Sequence, residues 1–136
     1  MPITNLAHVC LHAKDLETTI TFYQEALGLK KQFDFLNKDG RRVGIYFRIN
    51  ERNFIEIFEQ PALVPGASRL AHFCLEVDDL DAVITRLRDH GAEVSNKTLG
   101  ADQAYQAWTK DPDGNSFEFH EYTNHSTQLT GKDCVI

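Results

Sequence analysis

At 136 residues, with 42% hydrophobic and 25% charged side chains, the chain has the make-up of one ordinary soluble globular domain. A net charge of −6 argues against a phosphate-backbone binder, which needs a basic face to displace counterions, so no nucleic-acid partner is expected. VGIYF at 43–47, the longest apolar run, is too short to cross a bilayer, and MPITNLAH lacks a charged-then-apolar leader. Three cysteines then fit reduced thiols and a cytoplasmic home, away from membranes.

In chain order, NLAHVCLHA at 5–13 alternates as a strand does, with Ala7, Val9 and Leu11 on one face and His8, Cys10 and His12 on the other. Asp15 reads as the N-cap of a helix through DLETTITFYQEAL, which Gly28 stops. KKQFDFL, RRVGIYFRI and NFIEIFEQ follow as strands, with NKDG at 37–40 as a turn. PALVPGASR at 61–69 reads as a linker. AHFCLEV is then a strand, Asp79 a cap, and DLDAVITRLRDH a helix closed by Gly91. AEVSN, AYQAWTK and SFEFHEY supply three more strands, with DPDGN at 111–115 as a tight turn. Residues 123–136 are polar and aperiodic, a tail expected to drape over the partner half.

The second half rewrites the first. LAHVCLHAKDL at 6–16 returns as LAHFCLEVDDL at 70–80, with matched residues 64 positions apart (72 − 8 = 64). NFIEIFE at 53–59 returns as NSFEFHE at 115–121, now at 62 (118 − 56 = 62). The chain is therefore expected to form a single domain, 1–136. Module one is 1–60, the linker 61–69, module two 70–122 and the tail 123–136. Each module reads strand, helix, strand, strand, strand.

Each half carries a His early in its first strand, His8 or His72, and a Glu between two large apolar residues in its last, Glu56 or Glu118. Alone, a strand histidine is more often an ordinary polar residue and a mid-strand glutamate a solvated one. Carboxylates that recur at inward positions in both copies are costly unless solvated, paired or bound to metal. Two imidazoles and two carboxylates suit a divalent ion of borderline hardness, such as nickel, zinc, cobalt, iron(II) or manganese. Alternation sets Cys10, His12, Phe54, Phe58, Gln60, Cys74, Glu76, Ser116, His120 and Tyr122 on the same faces as those ligands. Phe54 and Phe58 could wall an apolar substrate, and His120 lies within reach of Glu118.

The opening LAHVCLHAKDLETTITFYQEALGL and the closing DPDGNSFEFHE resemble the vicinal oxygen chelate superfamily, the glyoxalase, bleomycin-resistance and dioxygenase family, over almost the whole chain. The resemblance implies an α+β fold: two βαβββ modules in pseudo-twofold repeat. A curved mixed eight-stranded sheet would cup a metal site, with helices on its outer face, often in a homodimer. It places the metal ligands on His8, Glu56, His72 and Glu118, the glyoxalase I pattern. That pattern implies a lyase or isomerase related to lactoylglutathione lyase, acting on a small molecule. A proton would move beside a carbonyl through a metal-stabilised enediolate, with Glu118 as base and Glu56 as its opposite number. The family's glutathione-holding arginine and asparagine are replaced by His12 and Gln60, so glutathione itself is not implied. These two residues with Phe54, Phe58 and His120 are the expected substrate contacts. The alternatives are an iron(II) extradiol-type dioxygenase and a non-catalytic drug- or metabolite-binding protein.

Overall fold

Alternating side chains in the opening segment become strand β1 (His8–Ala13) in the computed structural model, which describes residues 6–64, 66, 70 and 72–136. Of the expected linker, 65 and 67–69 lie outside the described residues, as do 1–5 and Ala71. Helix α1 (Leu16–Thr21) follows, its first turn closed by Asp15, whose carboxylate accepts from the Thr18 N–H at 3.2 Å. The expected single helix changes pitch midway. Phe22–Ala26 form a π-helical turn, closed by the Leu27 N–H donating to the Phe22 carbonyl at 3.0 Å. Gly28 then reverses the chain at φ +72°.

β2 (Lys30–Leu36), β3 (Arg42–Arg48) and β4 (Phe54–Glu59) complete a four-stranded sheet in the order β1-β4-β3-β2. β1 lies parallel to β4, and the other neighbours are antiparallel. On one face Leu11, Ala13, Ile45, Phe47, Ile55 and Ile57 are buried together with Leu16, Ile20, Tyr23 and Ala26 of the helical segment. Tyr23 stacks on Phe47 with 5.9 Å between ring centres. That burial is this unit's main stabilisation, about 1.5–3 kcal/mol for each large apolar side chain.

The second unit repeats the plan. Its elements are β5 (Phe73–Glu76), α2 (Leu80–Asp89), β6 (Thr98–Leu99), β7 (Tyr105–Lys110) and β8 (Ser116–Glu121). The sheet order is β5-β8-β7-β6, with β5 parallel to β8. Asp79 caps α2 through the Ala82 N–H at 3.0 Å, and Glu121 accepts from the Leu80 N–H at 2.9 Å. Leu80, Ile84 and Leu87 are buried, as are Ala107, Phe117 and Phe119 of the sheet. The eight strands therefore fall into two four-stranded mixed sheets, one in each of the units 1–66 and 67–136.

One expectation changes here, and the tail is seen to bond within its own unit. AEVSN is not a strand: only Val94 bridges, to Thr109, and the paired residues come later, in β6. One backbone bond, the Ser95 N–H to the Trp108 carbonyl at 2.9 Å, is flanked there by side-chain bonds. The Thr109 hydroxyl donates to the Glu93 carbonyl at 2.7 Å, and Ser95 Oγ accepts from the Trp108 N–H at 2.8 Å. The tail is tied to its own unit. Ser126, fully buried, donates to the Gln103 carbonyl at 2.8 Å, and Gln128 donates to Asp102 at 2.7 Å. The short helix α3 (Thr127–Thr130) follows from that anchorage. No described helix is long and apolar enough to cross a membrane.

Candidate metal centre

In each unit the face away from the helical segments carries the expected ligands. Register sets Cys10 beside Glu56 and Glu56 beside Tyr46 in the first sheet. In the second it sets Cys74 beside Glu118 and Glu118 beside Trp108. His8 Nε2 stands 3.9 Å from Glu56 Oε1, and His72 Nε2 stands 3.4 Å from Glu118 Oε1. With bonds of about 2.0–2.2 Å, two ligands on one ion sit roughly 3–3.5 Å apart. The His72–Glu118 pair already has that spacing, and the His8–Glu56 pair, at 3.9 Å, is wider. The donor set, imidazole with carboxylate, suits a borderline divalent cation.

Aromatic side chains hold both imidazoles. The Tyr46 hydroxyl lies 3.0 Å from His8 Nδ1, and the ring centres are 5.7 Å apart, edge to face. For His8 to ligate through Nε2, its Nδ1–H donates to the phenol oxygen, the outer contact that fixes a ligand's tautomer. Trp108 meets His72 in the same edge-to-face manner at 4.7 Å. Neither aromatic residue stood among the sequence candidates. Their signal was the interval already used for the glutamates, since Tyr46 and Trp108 are also 62 positions apart (108 − 46 = 62).

The second unit's carboxylate is more fully held. Glu118 Oε2 lies 3.2 Å from His120 Nε2 while Oε1 faces His72, and both Glu118 and His120 are buried. Cys74 joins them: its sulfur, a Glu118 oxygen and a His120 ring nitrogen lie within 4.8 Å of one another. Burial, then the charge of Glu118, pushes the Cys74 thiol up to about 12. Burial, then a hydrogen bond to Glu56, pushes Cys10 up to about 11. Both thiols are held protonated at neutral pH, so neither is a standing nucleophile.

The expected substrate contacts divide. Phe54 and Phe58 flank Glu56 as half-buried rings, Phe54 stacked on Tyr46 and Phe58 tilted against Phe35. His12 pairs in register with Phe58 and is exposed. Gln60 lies just past β4, exposed, its N–H donating to the Ala13 carbonyl at 2.7 Å. His120 is committed to Glu118.

Residues 5–119 match the family described as Glyoxalase/Bleomycin resistance protein/Dioxygenase superfamily. Among curated relatives, the chain is 36% identical over 81 residues to a 3-methylcatechol 2,3-dioxygenase of Pseudomonas putida, an overlap of 57% of this chain and 27% of the relative. It is 26% identical to a trivalent organoarsenical cleaving enzyme of Bacillus sp., over 83% of this chain and 70% of that one. Its fold is shared with the solved lactoylglutathione lyase of Agrobacterium tumefaciens, at 25% identity and a TM-score of 0.66, covering 89% and 96% of the two chains. With the repeated βαβββ plan and the match over 5–119, this chain belongs to the glyoxalase, bleomycin-resistance and dioxygenase superfamily, the vicinal oxygen chelate proteins.

Proposed function

We propose that the chain is a metal-dependent enzyme in which the two imidazole–carboxylate pairs close on one divalent cation, and that it moves a proton beside a substrate carbonyl. The observation that supports this most is the pairing itself. At matched positions of two repeats, an imidazole Nε2 faces a carboxylate oxygen, at 3.9 Å and at 3.4 Å. His8, Glu56, His72 and Glu118 would hold the ion. When bound, it would polarise a carbonyl oxygen and take up the charge that develops there.

The chain's own residues do the rest. One glutamate withdraws a proton from the carbon next to the carbonyl and returns it to the adjacent carbon. Placement of this kind typically contributes roughly 10²- to 10⁴-fold. Tyr46 keeps His8 turned toward its glutamate, and the half-buried rings of Phe54 and Phe58 would wall the apolar side of the substrate. Cys10 and Cys74 are held protonated, so neither supplies a standing thiolate to the reaction. With His12 and Gln60 where the glyoxalase pattern holds glutathione, the substrate is proposed to be a small 2-oxoaldehyde adduct rather than the glutathione one.

A second reading is supported by a separate observation. Glu56 has the longer of the two imidazole contacts and its unit has no counterpart of His120. If Glu56 stays off the ion, two histidines and one carboxylate remain, the set used with iron(II) by ring-cleaving oxygenases. Parallel assays separate the readings. Turnover of 2-oxoaldehyde–thiol adducts by nickel- or zinc-loaded protein is expected under the first. Oxygen uptake with catechols by the iron(II) form would replace it with the second. Absence of both activities and of metal would overturn both.

A further inference from the structure

The two half-sites differ at one position. Sixty-two residues before His120 the first unit carries Phe58 (120 − 58 = 62). Glu56 therefore stands between two rings, Phe54 and Phe58, whereas Glu118 stands between Ser116 and His120. The consequence is geometric. Glu118 has a partner for each oxygen, His72 at 3.4 Å and His120 at 3.2 Å, and only 8% of its surface is exposed. Glu56 is half-buried, and its one imidazole neighbour is at 3.9 Å.

We propose that His120 is a positioning residue that pins Glu118 as the permanent carboxylate ligand, leaving Glu56 as the carboxylate that swings off the ion and carries the proton. This is the reverse of the order expected from the sequence, and it rests on the four-ligand reading above. A buried carboxylate held through Oε2 keeps Oε1 aimed without further ordering cost, which is what a tight ligand requires. Removing Glu118 from an ion would break its contact with His120 or drag a buried imidazole along. Glu56 has no second imidazole; its other side-chain bond is to the Cys10 thiol, a weak donor. Phe54 and Phe58 offer it no hydrogen bond, so leaving the ion costs it no polar contact to either ring. Its neighbour Cys10 can donate a hydrogen bond to the released carboxylate. In the proton step, Glu56 takes the proton from the substrate carbon and becomes neutral. It then gives the same proton to the adjacent carbon and becomes anionic again, so no other reactant is needed.

The inference is tested by cobalt(II) titration of the full chain by calorimetry, with the visible cobalt spectrum as a second readout and circular dichroism as a check of folding. His120→Phe installs the first unit's residue at the second unit's position, so the ring volume is kept while the tether is lost. Cobalt affinity is expected to fall about 10- to 100-fold in His120→Phe, the usual effect of losing an outer contact. His120→Gln, which keeps a side-chain N–H donor, should recover most of that loss. Glu118→Gln should abolish binding, while Glu56→Gln should bind within a few-fold of wild type with an altered spectrum. Equal losses in Glu56→Gln and Glu118→Gln, or an unchanged affinity in His120→Phe, would overturn this assignment and leave the metal site standing. A wild-type protein that takes up no cobalt would overturn both.

Discussion

Cys10 and Cys74 show how closely single residues report the site. Each is an exposed side chain, yet each thiol is raised by partial withdrawal from water and by the glutamate beside it. Raised from 9.0 to about 11 in Cys10, the value leaves far less thiolate at pH 8 than an unfolded chain has. Alkylation of Cys10 by iodoacetamide at pH 8 should be roughly a hundredfold slower in the folded protein than in urea, and that of Cys74 slower still. Mass spectrometry of the labelled peptides reads this directly; equal rates would show that the glutamates do not face the thiols. The sign for stability follows. A raised thiol favours the folded state fully below its ordinary value of 9.0, and that contribution is lost as pH rises toward 11 and 12. At this scale the His and Glu of each half were legible, because costly polar residues stood in alternation with apolar ones. The orienting partners Tyr46 and Trp108 were not singled out, since an aromatic residue on a strand also has a plain packing role.

Among the elements, those governed by local chemistry were legible and those governed by contacts were not. Asp15 and Asp79 cap helices where a short acceptor precedes an amphipathic run, and both do so in the structure. The turn at 37–40 closes with Asn37 Oδ1 accepting from two N–H groups and Gly40 at φ +79°. AEVSN has a strand's composition, but Thr109 bonds its Glu93 carbonyl by side chain, Ser95 Oγ accepts from the β7 backbone, and the ladder starts later. The tail's docking depends on Gln103 and Asp102, some twenty residues upstream, with no periodicity to announce it. β3 carries a constraint of its own. A Cβ on Gly44 would lie 2.7 Å from the Phe58 ring and 2.8 Å from the Ile57 carbonyl oxygen. The ring can shift but the backbone oxygen cannot do so without distorting β4. Gly44→Ala should therefore destabilise the first unit by about 1–3 kcal/mol, read as a lower denaturation midpoint. An unchanged midpoint would mean that Phe58 does not lie across β3.

For the whole molecule, duplication is the organising fact, and two internal matches revealed it from sequence. Repetition made the order of elements along each unit legible, because one unit's plan predicts the other's. It also hid the difference that matters at the site: His120 for Phe58 gives one carboxylate two partners and leaves the other loosely held. Each unit supplies one histidine and one glutamate of the proposed four-ligand set, so under that proposal metal binding needs both. The most direct measurement is metal content per chain in wild type and in His8→Ala, by elemental analysis after loading with nickel. One ion per chain, lost entirely when His8 is removed, is the predicted result. Two ions per chain, or an ion retained at full stoichiometry without His8, would contradict a shared site and leave metal binding to the second unit's own Cys74, Glu118 and His120.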